Sequence, residues 1–163
     1  MKQKIPSPKK SLFRRLDTPL PSYRYVPGLL PHPFRSLEGH MNLFKPTFPE
    51  NKSWEKDHQF LYGADLFDHR YYWEAHENWE HCWNKAKGDE RICIQGLIQL
   101  SASILKHHMD QKSPRDRLFE AASDKLSHGI RVHWDFTYII LQTSEFFEGG
   151  AWPVLDREFP KKS

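Results

Sequence analysis

Residues 71–109 read YYWEAHENWEHCWNKAKGDERICIQGLIQLSASILKHHM, and the spacing of their apolar side chains predicts two consecutive helices. The first is expected over about residues 71–85 and ends before Gly88, because glycine readily takes the left-handed conformation that terminates helices. The second is expected to start after an Asp89 cap and to reach about Met109. Because the link between them is short, the two helices are predicted to be antiparallel neighbours.

The same kind of spacing predicts three further helices. One covers about residues 54–67 after a Ser53 cap, a second begins at Ser113–Pro114 and reaches about residue 128, and a third covers about residues 136–147. The predicted fold class is therefore all-α, an antiparallel helical bundle of about five helices.

Residues 1–50 differ from the rest of the chain. Prolines recur through the stretch TPLPSYRYVPGLLPHPFR, so no regular helix can persist there. Aromatic and aliphatic side chains lie between these prolines, which is not typical of a disordered linker. We predict a proline-rich extended arm over residues 1–50 that lies on a helical bundle over residues 51–150, with a tail over residues 151–163.

Composition limits the classes of partner. The 163-residue chain has a formal net charge of only +3, which argues against a dedicated nucleic-acid-binding protein. Its apolar runs are too short to cross a membrane, and its N-terminus lacks the apolar core of a secretory signal. The two cysteines, Cys82 and Cys93, have the spacing of neither a metal site nor a disulfide framework. We therefore expect a cytoplasmic protein with buried reduced thiols and no membrane partner.

The stretch HENWEHCW, from His76 to Trp83, resembles a zinc-protease helix in which Glu80 replaces the second histidine. On a helical wheel His76 and Glu80 lie about 40° apart, on a flank that they share with Trp73 and Trp83. A carboxylate beside apolar side chains is costly unless it is paired or hydrogen-bonded. This flank is therefore predicted to be a polar site.

The next helix carries two amides that match this flank. Facing residues of the predicted hairpin have numbers that sum to roughly 175, which puts Glu80 level with Gln95 and His76 level with Gln99. Gly96, beside these glutamines, is expected to let the two backbones approach closely. The side chains of His76, Glu80, Gln95 and Gln99 are therefore predicted to converge.

Several roles remain open for this predicted pocket. It could bind a small polar ligand or peptide by aromatic stacking and amide hydrogen bonds, through Trp73, Trp83, Arg91, Gln95 and Gln99. It could be a metal-dependent hydrolase, with Glu77 or Glu80 as general base and His76 as metal ligand or acid. It could also be only a structural polar network within the core. Arg91 is expected to supply positive charge to Glu77 or Glu80.

A divalent metal such as zinc is the cofactor that these side chains suggest. His76 and Glu80 are spaced to chelate one ion, and imidazole with carboxylate suits zinc, manganese or iron. Glutamines are weak ligands, so His32 and His40 of the arm are predicted to complete the metal site. We expect the arm to bring at least one of these two histidines near His76. Glu74, by contrast, falls on the opposite face of its helix.

The spacing His76-x-x-x-Glu80-x-x-Trp83, followed by QGLIQ at residues 95–99, resembles the domain-of-unknown-function 309 family of small all-helical bacterial and archaeal proteins. The likeness covers roughly residues 58–128 and includes the tetrad EAHE at residues 74–77. It implies an all-α fold and a shared polar cluster, but no activity, because none is established for the family.

A second resemblance is more limited. Gly63, Ala75 and Trp79 are similar to the glycine, alanine and aromatic positions of a tetratricopeptide-like helix pair, although no second copy follows at the repeat length of about 34 residues. It implies a protein-interaction module as a further alternative.

Overall fold

A computed structural model describes residues 2–163, which contain six α-helices and two short 3-10 helices. The 3-10 helices are Trp54–Lys56 and Ser127–Val132. The α-helices are α1 (His40–Leu43), α2 (His58–Asp68), α3 (Tyr72–Lys85), α4 (Gly88–His108), α5 (Lys112–Leu126) and α6 (Thr137–Phe147). The predicted all-α class is confirmed.

The start of α2 differs from the prediction. The chain makes a 3-10 turn at Trp54–Lys56, and the α-helix begins only at His58. Asp57 caps it, because its carboxylate accepts a hydrogen bond from the backbone N–H of Phe60 at 2.9 Å. The predicted Ser53 cap was wrong, since the Ser53 side chain makes no capping hydrogen bond.

The turn between α3 and α4 uses the predicted glycine in a different place. α3 ends at Lys85, and Gly88 has a φ of +59° but lies at the first position of α4 rather than at the end of α3. Lys87 occupies the cap position that was predicted for Asp89. The short link still brings α3 and α4 side by side as expected.

Two glycines allow close contacts between helices. A Cβ added at Gly63 of α2 would lie 2.1 Å from Nε1 of Trp79 in α3, so only glycine fits beside this fully buried indole. At Gly96 an added Cβ would lie 2.8 Å from Cγ of Leu126. Gly96 therefore allows the approach of α5, whereas the sequence had suggested an approach of α3.

The proline-rich arm lies on the bundle. Its Ile5, Tyr25 and Val26 are buried in the core. Arg15 reaches two buried carboxylates of α2, with its Nη1 at 3.1 Å from Asp65 Oδ1 and 2.9 Å from Asp68 Oδ2. The arm is thus held by apolar burial and by charge.

The C-terminal segment also packs against the helices. The backbone N–H of Leu155 donates to Asp68 Oδ1 at 2.7 Å. Phe159 is 4% exposed, with its ring centroid 4.8 Å from that of Phe60 and 6.1 Å from that of Trp79. Both chain ends thus help to hold α2 and α3 in place.

Two further sequence predictions concern the cysteines and the membrane. Cys82 and Cys93 are free and buried, as expected. Burial raises the pKa of both thiols to about 12, so they remain protonated at neutral pH. Among the described helices, none combines the length and apolar character needed to span a membrane.

Candidate functional site

One flank of α3 carries three side chains of the types that serve as metal ligands. His76, Glu77 and Glu80 each offer one ligand atom, and these atoms all lie within 4.8 Å of one another. His76 Nε2 is 3.3 Å from Glu80 Oε1, one helical turn away. The side chains of His76 and Glu80 are 28% and 46% exposed, so solutes can reach both. The three residues are called the open flank below.

The separation of the His76 and Glu80 ligand atoms suits a shared ion. Two atoms that each lie about 2.1 Å from a tetrahedral ion are about 3.4 Å apart. The observed 3.3 Å between His76 Nε2 and Glu80 Oε1 is close to this value. Imidazole and carboxylate are suitable ligands for zinc, manganese or iron. The ligand atom of the third group, Glu77, lies within 4.8 Å of the ligand atoms of both His76 and Glu80.

Three residues of the predicted pocket have a buried polar atom with no hydrogen-bond partner among residues 2–163. The atoms are His76 Nδ1, Trp83 Nε1 and Gln99 Oε1. The register of the α3–α4 hairpin predicts His76 and Gln99 at the same level. Within the described chain, however, neither His76 nor Glu80 is hydrogen-bonded to Gln95 or Gln99. The convergence of these four side chains therefore stays a prediction.

Arg91 stacks on an aromatic ring beside the flank. Its guanidinium carbon lies 3.8 Å from the ring centroid of Trp83, a cation–π contact. In the described part of the chain Arg91 forms no salt bridge with Glu77 or Glu80, the partners that the sequence suggested. A planar guanidinium held in this way keeps N–H groups available for an anionic ligand.

The aromatic residue Trp73, predicted to line the pocket, contacts the arm instead. Its ring centroid is 5.0 Å from that of Tyr25 and 5.6 Å from that of His32. His32 therefore packs edge-on against Trp73 and is not grouped with the three residues of the open flank. Its predicted role as a metal ligand gains no support from this geometry.

His40 makes the main polar contact between the arm and α3. It is 3% exposed, and its Nε2 lies 2.9 Å from Oε2 of Glu74, whose side chain is 5% exposed. The same carboxylate oxygen accepts the backbone N–H of Tyr25 at 3.1 Å. Burial raises the pKa of Glu74, and the hydrogen bond with His40 opposes that rise. His40 is thus paired with Glu74, and it too is not grouped with the residues of the open flank.

Glu74 was not among the site residues predicted from the sequence. The helical wheel placed it away from α2 and α4, and that face of α3 is covered by the arm. The available signal was indirect, since Glu74 belongs to the EAHE tetrad of the family resemblance.

A cleft opens where the arm crosses α2 and α3. Its volume is about 530 Å³, including space open to solvent. Its wall combines apolar arm side chains, such as Met41 and Phe44, with Glu74 at one end. Glu77 also lines this cleft, so one carboxylate belongs both to the open flank and to the cleft.

Comparison with known proteins supports the family resemblance and adds no activity. Searches of curated proteins and of solved structures found no match. A family model described as "Domain of unknown function (DUF309)" matches residues 60–118, which extend from α2 into α5 and contain the open flank. The resemblance predicted from the His76, Glu80 and Trp83 spacing is therefore confirmed over residues 60–118 of this chain.

Proposed function

We propose that the protein binds a divalent metal ion through His76, Glu77 and Glu80 and uses this ion to hold a small polar ligand. The observation that carries the proposal is the position of three ligand atoms, one imidazole and two carboxylate, within 4.8 Å of one another at an accessible surface. Two of the three come from an i,i+4 pair on α3, so the backbone itself fixes their spacing.

The surroundings of the ion favour an anionic group on the ligand. Arg91, near the start of α4, has its guanidinium carbon 3.8 Å from the ring centroid of Trp83, and it supplies N–H donors suited to a carboxylate or phosphate. An ion bound to one imidazole and two carboxylates also keeps coordination positions that water or a ligand can fill. A ligand with a carboxylate or phosphate group would then contact both the metal ion and Arg91.

Hydrolysis of the bound ligand is a second candidate function, favoured by the position of Glu77. This carboxylate is a neighbour of the His76–Glu80 pair and also lines the cleft between arm and bundle. A bound metal ion would lower the pKa of a water molecule on it, and Glu77 would accept the proton of that water as general base. In this case His76 and Glu80 would be the metal ligands and Glu77 would be the general base.

Metal content and metal affinity test the binding function directly. Elemental analysis of purified protein should find about one divalent ion per chain, and calorimetric titration of chelator-treated protein with Zn²⁺ or Mn²⁺ should show one site. Excess metal at a hundred times its Kd should stabilise the fold by about 2.7 kcal/mol. Glu80→Gln should reduce the affinity by at least about tenfold while the protein stays folded.

A second histidine–carboxylate pair provides the matched control. His128 Nδ1 lies 2.9 Å from Asp89 Oδ1, and the two side chains are 32% and 29% exposed, but they do not belong to the three-residue cluster. His128→Ala should leave metal affinity unchanged. Equal losses in Glu80→Gln and His128→Ala, or no saturable binding to the wild-type chain, would contradict the proposed function.

A further inference from the structure

The buried carboxylates of this protein differ in how completely their oxygens are hydrogen-bonded. Among residues 2–163, the buried acidic side chains are Asp57, Asp65, Asp68 and Glu74. Asp57 accepts from the Phe60 N–H at one oxygen and from Lys85 Nζ at the other.

The two aspartates under the arm also have both carboxylate oxygens hydrogen-bonded. Asp65 receives the N–H groups of Arg15 and Leu16 together with the guanidinium groups of Arg14 and Arg15, so both of its oxygens are bonded. Asp68 accepts from the Leu155 N–H at Oδ1 and from Arg15 at Oδ2.

Glu74 is the exception in the described chain. Its Oε2 has two partners, His40 Nε2 and the Tyr25 N–H, whereas its Oε1 is buried without any. A carboxylate oxygen has two lone pairs, and a buried one without a donor costs free energy. Glu74 also differs from the three aspartates in lining the cleft between the arm and the bundle. The one incompletely bonded buried carboxylate thus belongs to a residue that lines the cleft.

We propose that this cleft binds a small molecule that carries a protonated amine on an apolar body, with the ammonium group donating to Glu74 Oε1. A charged donor forms the stronger type of hydrogen bond with a carboxylate. Met41, Phe44 and Leu66 offer apolar surface for the rest of the molecule, and Glu77 adds a second negative group to the lining. A site of this kind, mostly apolar with a few convergent polar groups, is typical of small-molecule recognition.

The other charges of the lining restrict which amine fits. Lys45 also lines the cleft, and a second cationic group on the ligand would be repelled by its ammonium group. A monoamine is therefore the expected ligand class. Glu77 belongs both to this lining and to the open flank. The inference nevertheless needs no bound metal ion, because the acceptor it assigns is Glu74, which is not part of the open flank.

Butylammonium is a suitable probe, with butanol as a neutral analogue and butyrate as an anionic one. The experiment records amide NMR spectra of the full chain in the presence of a chelator, so that the metal site plays no part. Butylammonium should cause saturable shifts at the amides of Tyr25, Met41 and Phe44, and neither analogue should do so at the same concentration. Shifts that are equal for butylammonium and butanol would mean apolar partitioning alone and would overturn the proposal.

Two variants test the role of the carboxylate. Glu74→Gln keeps the shape of the side chain but removes its charge, and it should weaken butylammonium binding by at least about tenfold. Glu120→Gln, on the exposed surface of α5, should not change it.

Because Glu74→Gln also alters the contact with His40, a third variant avoids Glu74. Met41→Trp should fill the cleft and abolish binding while Glu74 and His40 remain paired. Unchanged affinity in a folded Glu74→Gln or Met41→Trp protein would refute the proposal.

Discussion

α3 takes part in two imidazole–carboxylate pairs that lie in opposite surroundings. On the face covered by the arm, Glu74 of α3 and His40 of the arm are about 95% or more buried, with His40 Nε2 2.9 Å from Glu74 Oε2. On the open flank, His76 and Glu80 are 3.3 Å apart and remain 28% and 46% exposed. The same two chemical groups thus meet once in the interior, between α3 and the arm, and once at the surface, within α3 alone.

This difference determines what each pair can contribute. Exposed i,i+4 ion pairs stabilise proteins by only about 0.3–0.5 kcal/mol. We therefore expect the open flank to contribute little to folding, which would leave its groups available to a metal ion. Removing the partner of a buried carboxylate lowers the free energy of unfolding by about 3–5 kcal/mol. The fold is therefore expected to depend on the contact between Glu74 and the arm. The predictions below test this contrast.

Removal of residues 1–50 should have the largest effect. The truncation deletes Arg15, which pairs with the buried Asp65 and Asp68, and His40, which pairs with Glu74. Three acidic side chains would lose their buried partners, and we expect the free energy of unfolding to fall by more than about 5 kcal/mol. Denaturant unfolding measures this loss, and light scattering measures the association of the exposed apolar surface.

A shorter truncation is the control for the arm. Residues 2–4 are exposed, so removal of residues 1–4 should change the stability by less than about 1 kcal/mol. If the chain without residues 1–50 stays monomeric and as stable as the full chain, the covered face is not a structural contact.

The next largest effect is expected from equivalent substitutions on the two faces. His40→Ala leaves Glu74 with only the Tyr25 N–H and should destabilise the protein by about 3–5 kcal/mol. His76→Ala removes the corresponding imidazole of the open flank and should cost less than about 1 kcal/mol in metal-free protein. Denaturant unfolding of both variants in the presence of a chelator checks the contrast, and equal losses would contradict it.

The sequence predicted the helical elements better than the covered face. Apolar periodicity follows local geometry, so it located α3 and α4 to within a few residues. The start of α2 was misplaced because both Ser53 and Asp57 are good cap residues, and only the structure shows which side chain makes the bond. The covered face of α3 depends on where residues 23–40 cross the bundle, and a helical wheel contains no such information. Glu74 was therefore assigned to the uncovered side.

The open flank could be identified from the sequence, because His76 and Glu80 belong to one helix and their spacing sets their separation. The predicted ligands His32 and His40 belong to the arm, so their positions depend on tertiary contacts. One packs on Trp73 and the other pairs with Glu74. Sequence spacing was informative within an element and uninformative between the arm and the bundle.

A smaller effect is expected from pH at Asp68, which the arm also covers. Burial raises its pKa from 3.8 to about 6, although Arg15 and the Leu155 N–H oppose the rise. Because the folded state binds this proton more tightly, the contribution of Asp68 is fully present below its ordinary pKa and is lost as pH rises through about 6. At 1.36 kcal/mol per pKa unit the whole change is about 3 kcal/mol.

Comparison with an isosteric variant isolates this contribution. The stability of the wild-type chain relative to Asp68→Asn should increase as the pH is lowered from about 7 to about 5. Asp135→Asn is the control, since hydrogen bonds with Thr137 lower the pKa of this exposed carboxyl and it stays ionised throughout. A relative stability that is constant or decreases toward low pH would show that Arg15 keeps Asp68 ionised.

The smallest expected effect concerns Gln99 and the open flank. Histidines that bind metals usually donate their second ring N–H to an acceptor, which fixes the tautomer and the ring orientation. His76 Nδ1 and Gln99 Oε1 are both buried and lack partners among the described residues. If the two side chains meet as the hairpin register predicts, a hydrogen bond between them would satisfy both atoms. Gln99→Met removes the acceptor and should lower metal affinity by about 10–100-fold. It should not destabilise the metal-free protein, because the substitution also removes a buried oxygen without a donor.

Gln95→Met is the matched control on the same helix. It should have a smaller effect on metal affinity, since Glu80, which the register predicts at the level of Gln95, is exposed to solvent. Calorimetric titration with Zn²⁺ measures both, and equal affinities for wild-type and Gln99→Met protein would show that His76 needs no support from α4.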